Sequence, residues 1–245
     1  ITPLTAIDRK GCFWCTLILF AGAITQQIGI IGTSVTNSGF LTALYVPLVP
    51  LVTWRLFGKP AHWVVWPAAA GSLLGTFLLG GAKLAHFTIG DAWVALSALF
   101  WAFQVTLVGV NAARSGRPLT LAAAQFAGCG ALAVVVAIIF EPLTLAAMRA
   151  VTGELLYAGG LSVGIGFTLQ VIGQRYTHPA AAAILMSSEA IFAALAGALI
   201  LGETLGLSGL IGAALILTSL ICVEVGPLLW PGQGKAAGIS EKTII

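Results

Sequence analysis

The sequence predicts an all-α integral membrane protein, and three observations carry that prediction. The first is composition. Of 245 residues, 59% are hydrophobic and only 8% are charged, with a mean hydropathy of +1.04. A water-soluble domain carries about 25% charged residues. This chain has too little charge to coat a surface facing water, so its solvent must be lipid. The second observation is a set of eight apolar stretches near residues 12–32, 36–57, 62–81, 91–113, 118–140, 154–175, 180–201 and 208–227. Crossing about 30 Å of hydrocarbon takes roughly 20 helical residues, which is the length of these runs. Barrel strands would be half as long and would alternate with period two. The third is an internal repeat. Residues 22–73 align without a gap on residues 166–217, and Gly22/Gly166, Gln26/Gln170, Gly29/Gly173, Thr33/Thr177, Leu41/Leu185, Gly58/Gly202 and Leu73/Leu217 coincide. Duplicated apolar segments with polar residues at matched depth are the mark of carriers built from two similar halves.

The breaks between spans follow in order. Asp8, Arg9 and Lys10 lead straight into the first span, with no basic-then-apolar leader pattern. Gly58-Lys59-Pro60 closes the second span, and Gly90-Asp91 opens the fourth, with Asp91 expected as its N-cap. The charged turn 114–118 separates the fourth from the fifth, and Glu141-Pro142 ends the fifth. Residues 141–153 are amphipathic enough for a short interfacial helix. Thr177-His178-Pro179 divides the sixth span from the seventh, and Gly202-Glu203 closes the seventh. The tail 228–245 is polar and Gly-rich and is expected to be disordered.

Lys and Arg divide unevenly over alternate connections. One side holds Arg9, Lys10, Arg55, Lys59, Arg114, Arg117, Arg175, Lys235 and Lys242; the other holds Lys83 and Arg149. The first side is therefore expected to be cytoplasmic, with both ends of this chain there. The first span matches the sixth, five crossings later, so the copies are expected to be inverted in the membrane. Lys59 then falls inside and its counterpart Glu203 outside. The second copy is preceded by two spans that the first copy lacks, which predicts either two further spans upstream of Ile1 and ten in all, or a native eight-helix variant. On that reading 1–81 is the remainder of an N-terminal repeat with three helices, 91–227 is a complete five-helix repeat, and 228–245 is a cytoplasmic tail.

Several runs resemble a known family. They are 170–184, with Gln170, Gln174, Arg175, Tyr176, Thr177, His178 and Pro179; 188–195, opening on Ser188 and Glu189; Leu201-Gly202-Glu203; the closing run 210–217; and 39–50, with Gly39, Tyr45, Pro47 and Pro50. Their order, spacing and duplication over residues 11–227 resemble the drug/metabolite transporter superfamily, in its EamA-type permease branch. The resemblance implies ten helices in two inverted five-helix halves, a central cavity, and movement of small organic solutes, often export of amino acids or other metabolites. Against that pattern, residues 1–245 are expected to account for eight of the ten helices, without the first two. The chain also has Glu189-Ala190 where the family often has Glu-Pro, which removes the residue expected to kink that helix.

The candidate site residues are the polar and aromatic groups within spans. Glu189 is the one carboxylate deep in a span, about 15 Å from either end of 180–201. A charge there costs about 2.5–3.5 kcal/mol on insertion scales. It reads either as a cavity-facing proton or cation site or as a neutral carboxyl bonded to nearby backbone. Ala182, Met186, Ala193 and Gly197 share its helical face, which favours close helix approach. Gln26 and Gln170 are repeat mates that either flank a solute or pin helices together. Trp101 and Gln104 share a face of the fourth span with Ser97 and Asn111, as a cavity wall or as packing between helices. Tyr45 is the repeat mate of Glu189, and Pro47 and Pro50 beyond it bend its helix. Ser188 adjoins Glu189. Cys12 and Cys15 have redox spacing but stand alone at the start of a span, and His62, His86 and His178 are scattered over span ends, so no metal or cofactor is expected.

No Walker loop, dinucleotide fingerprint or HExxH motif is present, and no catalytic constellation at matched depth, so an enzyme is not expected. The small net charge of +3 lies in short connections and argues orientation, not nucleic-acid binding. The expected function is a secondary transporter of a small organic solute in the cytoplasmic membrane. It would work by alternating access, with Gln26, Tyr45, Trp101, Gln104, Gln170, Ser188 and Glu189 lining its cavity and Glu189 coupling transport. The alternative is a non-transporting scaffold or assembly subunit. The inverted arrangement makes one direct prediction. Single cysteines at positions 59 and 203 should react with impermeant thiol reagents from opposite sides of the membrane, and labelling from one side would end it.

Overall fold

The computed structural model of the chain describes residues 5–58, 60–82, 87–141, 144–202, 204 and 206–230. Lys59, Lys83, His86, Glu203, Lys235, Lys242 and the rest of the tail after Trp230 lie outside the described residues. Every element among the described residues is helical: α1 (Ala6–Ile31), α2 (Val35–Ala43), α3 (Tyr45–Phe57), α4 (Val65–Leu79), α5 (Ile89–Ser115), α6 (Pro118–Phe140), α7 (Leu145–Ala150), α8 (Thr152–Leu156), a π-helix (Tyr157–Phe167), α9 (Thr168–Gln174), α10 (Pro179–Met186), α11 (Glu189–Leu201) and α12 (Leu207–Leu229). Among the described residues, seven segments are long and apolar enough to cross a membrane: Ala6–Ile31, Val35–Phe57, Ile89–Ser115, Pro118–Phe140, Thr152–Gln174, Pro179–Ile200 and Leu207–Leu229. The expected third span, 62–81, is instead α4, whose 15 residues reach about 22 Å. The expected last span runs two residues further than 227, to Leu229.

Helix ends follow local chemistry. Pro118 begins α6 at a position where its missing N–H would have had no intrahelical partner. Gly58 and Gly202 close α3 and α11 in left-handed backbone, at φ 63° and φ 69°. Asp91 is not the cap of α5. Thr88 precedes that helix and shares a capping box with Asp91: the Asp91 N–H donates to Thr88 Oγ1 at 3.2 Å, and the Thr88 N–H to Asp91 Oδ2 at 2.6 Å. Thr33 Oγ1 and Asn37 Nδ2 donate to the same carboxylate, so a wholly buried Asp is satisfied by four groups.

The two copies of the repeat share several element boundaries. A shift of 144 residues carries α3 (Tyr45–Phe57) onto α11 (Glu189–Leu201) end to end, both 13 residues long. The same shift carries Val35, the start of α2, onto Pro179, the start of α10, and the cap Ser34 onto the cap His178. In each copy one apolar span is split into two half-helices at the same point along the repeat, α3 and α11 restarting 144 residues apart.

The chain forms two compact units, Ile1–Ile24 with Leu107–Thr177, and Thr25–Thr106 with His178–Ile245. These units do not coincide with the expected division at 1–81 and 91–227, which rests on the repeat and not on compactness. The first unit packs around Cys15, Val108, Ala112, Leu121, Ala122 and Val171. Close approach needs small residues there: a Cβ on Gly128 would lie 2.6 Å from Thr16 Cγ2. Its Gly-rich π-helix of 11 residues is longer than the single turns in which that geometry usually occurs.

The second unit packs around α3, with Tyr45, Val46, Val49 and Val52 against Val65, Ala68 and Ala69 of α4, Ala98, Ala102 and Val105 of α5, and Ala180, Ala183 and Ile184 of α10. Helices α4 and α12 meet backbone to backbone. A Cβ on Gly75 would lie 2.7 Å from the Gly212 carbonyl oxygen, and one on Gly212 would lie 2.5 Å from that of Gly75. Lipid supplies no hydrophobic drive between helices, so such close packing must supply it. The turn before α4 is tied to the same partner. His62 Nε2 donates to the Trp230 carbonyl at 3.1 Å, and Trp63 meets the Trp230 ring edge-on at 5.7 Å. Gly75→Val should therefore lower unfolding stability by about 1–3 kcal/mol, measured by denaturant titration in mixed micelles, with Gly39→Ala, which meets open space, as the unaffected control.

Candidate functional site

The polar residues of the second unit gather around the two split helices. In the first, Pro47 is the cause of the split. It carries no N–H for the carbonyl of Ala43, four residues back, and its ring crowds that carbonyl. The chain tightens there, with Leu44 N–H donating to the Leu41 carbonyl at 3.2 Å, and α3 restarts at Tyr45. In the second, no proline is present at the break, and the missing Glu-Pro does not straighten the helix. The split falls at Ser187 and Ser188. Both residues bond back by three positions, Ser187 N–H to Ile184 at 3.1 Å and Ser188 N–H to Leu185 at 3.1 Å. Ser187 Oγ donates to the Ile184 carbonyl at 2.5 Å and accepts from Ser72 Oγ of α4 at 2.6 Å. A serine hydroxyl competing for backbone carbonyls is a known way to bend a membrane helix.

The splits determine where the candidate side chains stand. Tyr45 and Glu189 are the first residues of α3 and α11, each at the positive end of a half-helix. Tyr45 is buried, and its hydroxyl donates to the Ala183 carbonyl of α10 at 3.4 Å, linking one split helix to the other. Glu189 has an exposed side chain, and Ser188 beside it is half-buried. The helix break lies between Met186 and Glu189, so the continuous small-residue face expected around Glu189 is divided.

Gln26 and Trp101 come together directly. The Trp101 indole N–H donates to Gln26 Oε1 at 3.0 Å, and Gln26 Nε2 donates to Thr42 Oγ1 at 2.9 Å. One amide thereby joins α1, α2 and α5. Gln104 is buried one turn beyond Trp101 on α5. Two members of the expected α5 face part from the others. Ser97 Oγ bonds its own helix at Val94, 2.7 Å away. Asn111 belongs to the first unit, where it donates to the Leu107 carbonyl and accepts from Arg114. Gln170 is half-buried, also in the first unit.

Sequence reasoning passed over Thr42, Ser72 and Ser187. Nothing periodic links Thr42 to Gln26 or Ser72 to Ser187, because these pairings are tertiary. The Ser187-Ser188 doublet inside an apolar run was the available signal for the second split. Among the described residues no group of His, Cys, Asp and Glu could hold a metal ion.

Comparison with known proteins bears on this arrangement. The EamA-like transporter family matches residues 88–225. An uncharacterized transporter of Archaeoglobus fulgidus is 28% identical over 218 residues, covering 89% of this chain and 70% of that protein. A protein of known crystal structure matches with a TM-score of 0.71 at 20% identity, covering 92% of this chain and 77% of the other, a likeness of fold.

The Gln26–Trp101 bond is testable as a coupled pair. Gln26→Leu and Trp101→Phe should each destabilise the protein, and together by less than their sum. The coupling energy from a double-mutant cycle of unfolding should be about 0.6–1.7 kcal/mol.

Proposed function

Because this chain belongs to the EamA-like transporter family, we propose that it is a secondary transporter moving a small organic solute by alternating access. The membrane is the cytoplasmic membrane, and the side bearing Arg114, Arg117 and Arg175 faces the cytoplasm. The two repeats are inverted and exchange conformations about a shared midplane site. The single observation supporting this most directly is the pair of half-helix starts, Tyr45 in one copy and Glu189 in the other, 144 residues apart.

The solute site consists of Gln26, Tyr45, Trp101, Gln104, Ser188 and Glu189. Each has a chemical task. The half-helix ends supply partial charges where side chains and backbone meet a polar ligand. Trp101, held by Gln26, offers an indole face in a fixed orientation. Glu189 is accessible, and its carboxylate pairs with a solute amine or exchanges a proton. Amino acids and amine-bearing drugs carry such groups, and export is the direction proposed. Gln170 belongs to the other compact unit and is not part of this proposal.

The test is a panel of amino acids and amine-bearing compounds screened by uptake and resistance, followed by flux in proteoliposomes. Wild type should move at least one of them at a rate that depends on pH. Glu189→Gln should flatten that pH profile and cut the rate by about tenfold or more. An unchanged profile removes the coupling role. Failure of wild type to move any compound favours the scaffold reading.

A further inference from the structure

We propose that the turn between α5 and α6, together with Arg175, binds the phosphate headgroup of an anionic phospholipid. The turn carries Arg114 in the last turn of α5 and Arg117 immediately before α6. Between them Gly116 takes left-handed backbone at φ 64°, which reverses the chain in a few residues. Arg175, just after α9, is distant in sequence but close in space: its Nη2 lies 3.6 Å from where a Cβ on Gly116 would stand. Three arginines thus stand at neighbouring helix ends in one compact unit, with the Arg175 guanidinium reaching the turn that carries the other two.

The local charge is unbalanced. Among the described residues Asp8 is the carboxylate that faces these arginines: it lines a small pocket with Cys12, Asn111, Ser115 and Arg117, and its charge offsets part of that of Arg117 and Arg114, one against three. Its Oδ2 also accepts from the Thr5 N–H and hydroxyl. Glu141 and Glu154 sit at the opposite ends of α6 and of the 152–174 span. Arg114 is positioned by one bond, from Nη2 to Asn111 Oδ1 at 2.6 Å, which engages a single donor of the guanidinium's five. Arg175 stacks over Tyr176, with Cζ 5.2 Å from the ring centroid.

A lipid fits this face better than a free phosphate. Leu119 and Tyr176 border the arginines and are exposed, at 61% and 72%. An apolar and aromatic border beside fixed positive charge matches the boundary between acyl chain and headgroup. Guanidinium groups suit phosphate oxygens because their paired donors bind bidentately.

The full chain, purified in detergent, is exposed to equal amounts of phosphatidylglycerol and phosphatidylcholine, and bound lipid is counted by native mass spectrometry. Wild type should retain phosphatidylglycerol preferentially, and less of it in about 1 M salt, where the screening length falls to about 3 Å. The Arg117→Gln, Arg175→Gln double variant should retain about fivefold less phosphatidylglycerol with phosphatidylcholine unchanged. Arg149→Gln should behave as wild type. If the Gln variant does not fold, Arg117→Lys with Arg175→Lys keeps the charge and should give intermediate retention. Equal retention of the two lipids, or undiminished phosphatidylglycerol in the folded Gln or Lys variants, overturns the proposal. Equal thermal protection by inorganic phosphate also overturns it, since the site then reads a soluble anion.

Discussion

Hydrocarbon neither donates nor accepts hydrogen bonds, and each interruption of a membrane helix must therefore be satisfied within the protein or at a water-filled cavity that it lines. That constraint organises the second unit. Two spans are split, and each split releases backbone groups from their intrahelical partners. At the first, Leu44 tightens the turn and Pro47 contributes no donor that would need a partner. At the second, Ser187 turns its hydroxyl back on Ile184, and Ser72 of α4 completes the set. Tyr45 crosses from one split helix to bond the backbone of the other. The helices are thus joined at the points where they are least regular.

The same constraint explains why Gln26, Thr42 and Trp101 form a chain. An amide withdrawn from water costs up to roughly 2–7 kcal/mol when unsatisfied, and the half-buried Gln26 finds partners at both ends. It uses its oxygen for the indole and its nitrogen for the threonine. The indole is held by its polar edge, and its ring is oriented by a residue on a different helix. Structural pinning and solute binding, which the sequence left as alternatives for Gln26, are compatible: a pinned indole is also an oriented one.

Fold class was readable because it depends on bulk properties. Low charge, long apolar runs and punctuation by Gly, Pro and charge survive without knowledge of packing. The repeat was readable because identical letters recur at one offset, and Ser34/His178 and Gly58/Gly202 fall at matching caps. The short span at Val65–Leu79 was harder to see, because His62, Trp63 and Val64 are apolar enough to extend a helix but are drawn into the turn that meets Trp230. The site was readable one residue at a time. Gln26, Trp101, Tyr45 and Glu189 stand out as polar or aromatic letters in apolar text, but their partners do not. Ser72 and Thr42 are ordinary membrane-helix residues until a second helix places Ser187 or Gln26 beside them. Asp91 illustrates the opposite case: its position near a helix start was evident, while the assignment of cap to Thr88 needed the backbone.

The two splits are alike in outline and unlike in chemistry. Proline at position 47 imposes a permanent defect, since no rearrangement of the chain can give it a hydrogen to share with Ala43. Residues 187 to 191 all retain their amide hydrogens, so nothing covalent prevents that stretch from closing into unbroken helix. A duplicated architecture has thereby become mechanically unequal, with one joint welded and the other latched by a serine pair.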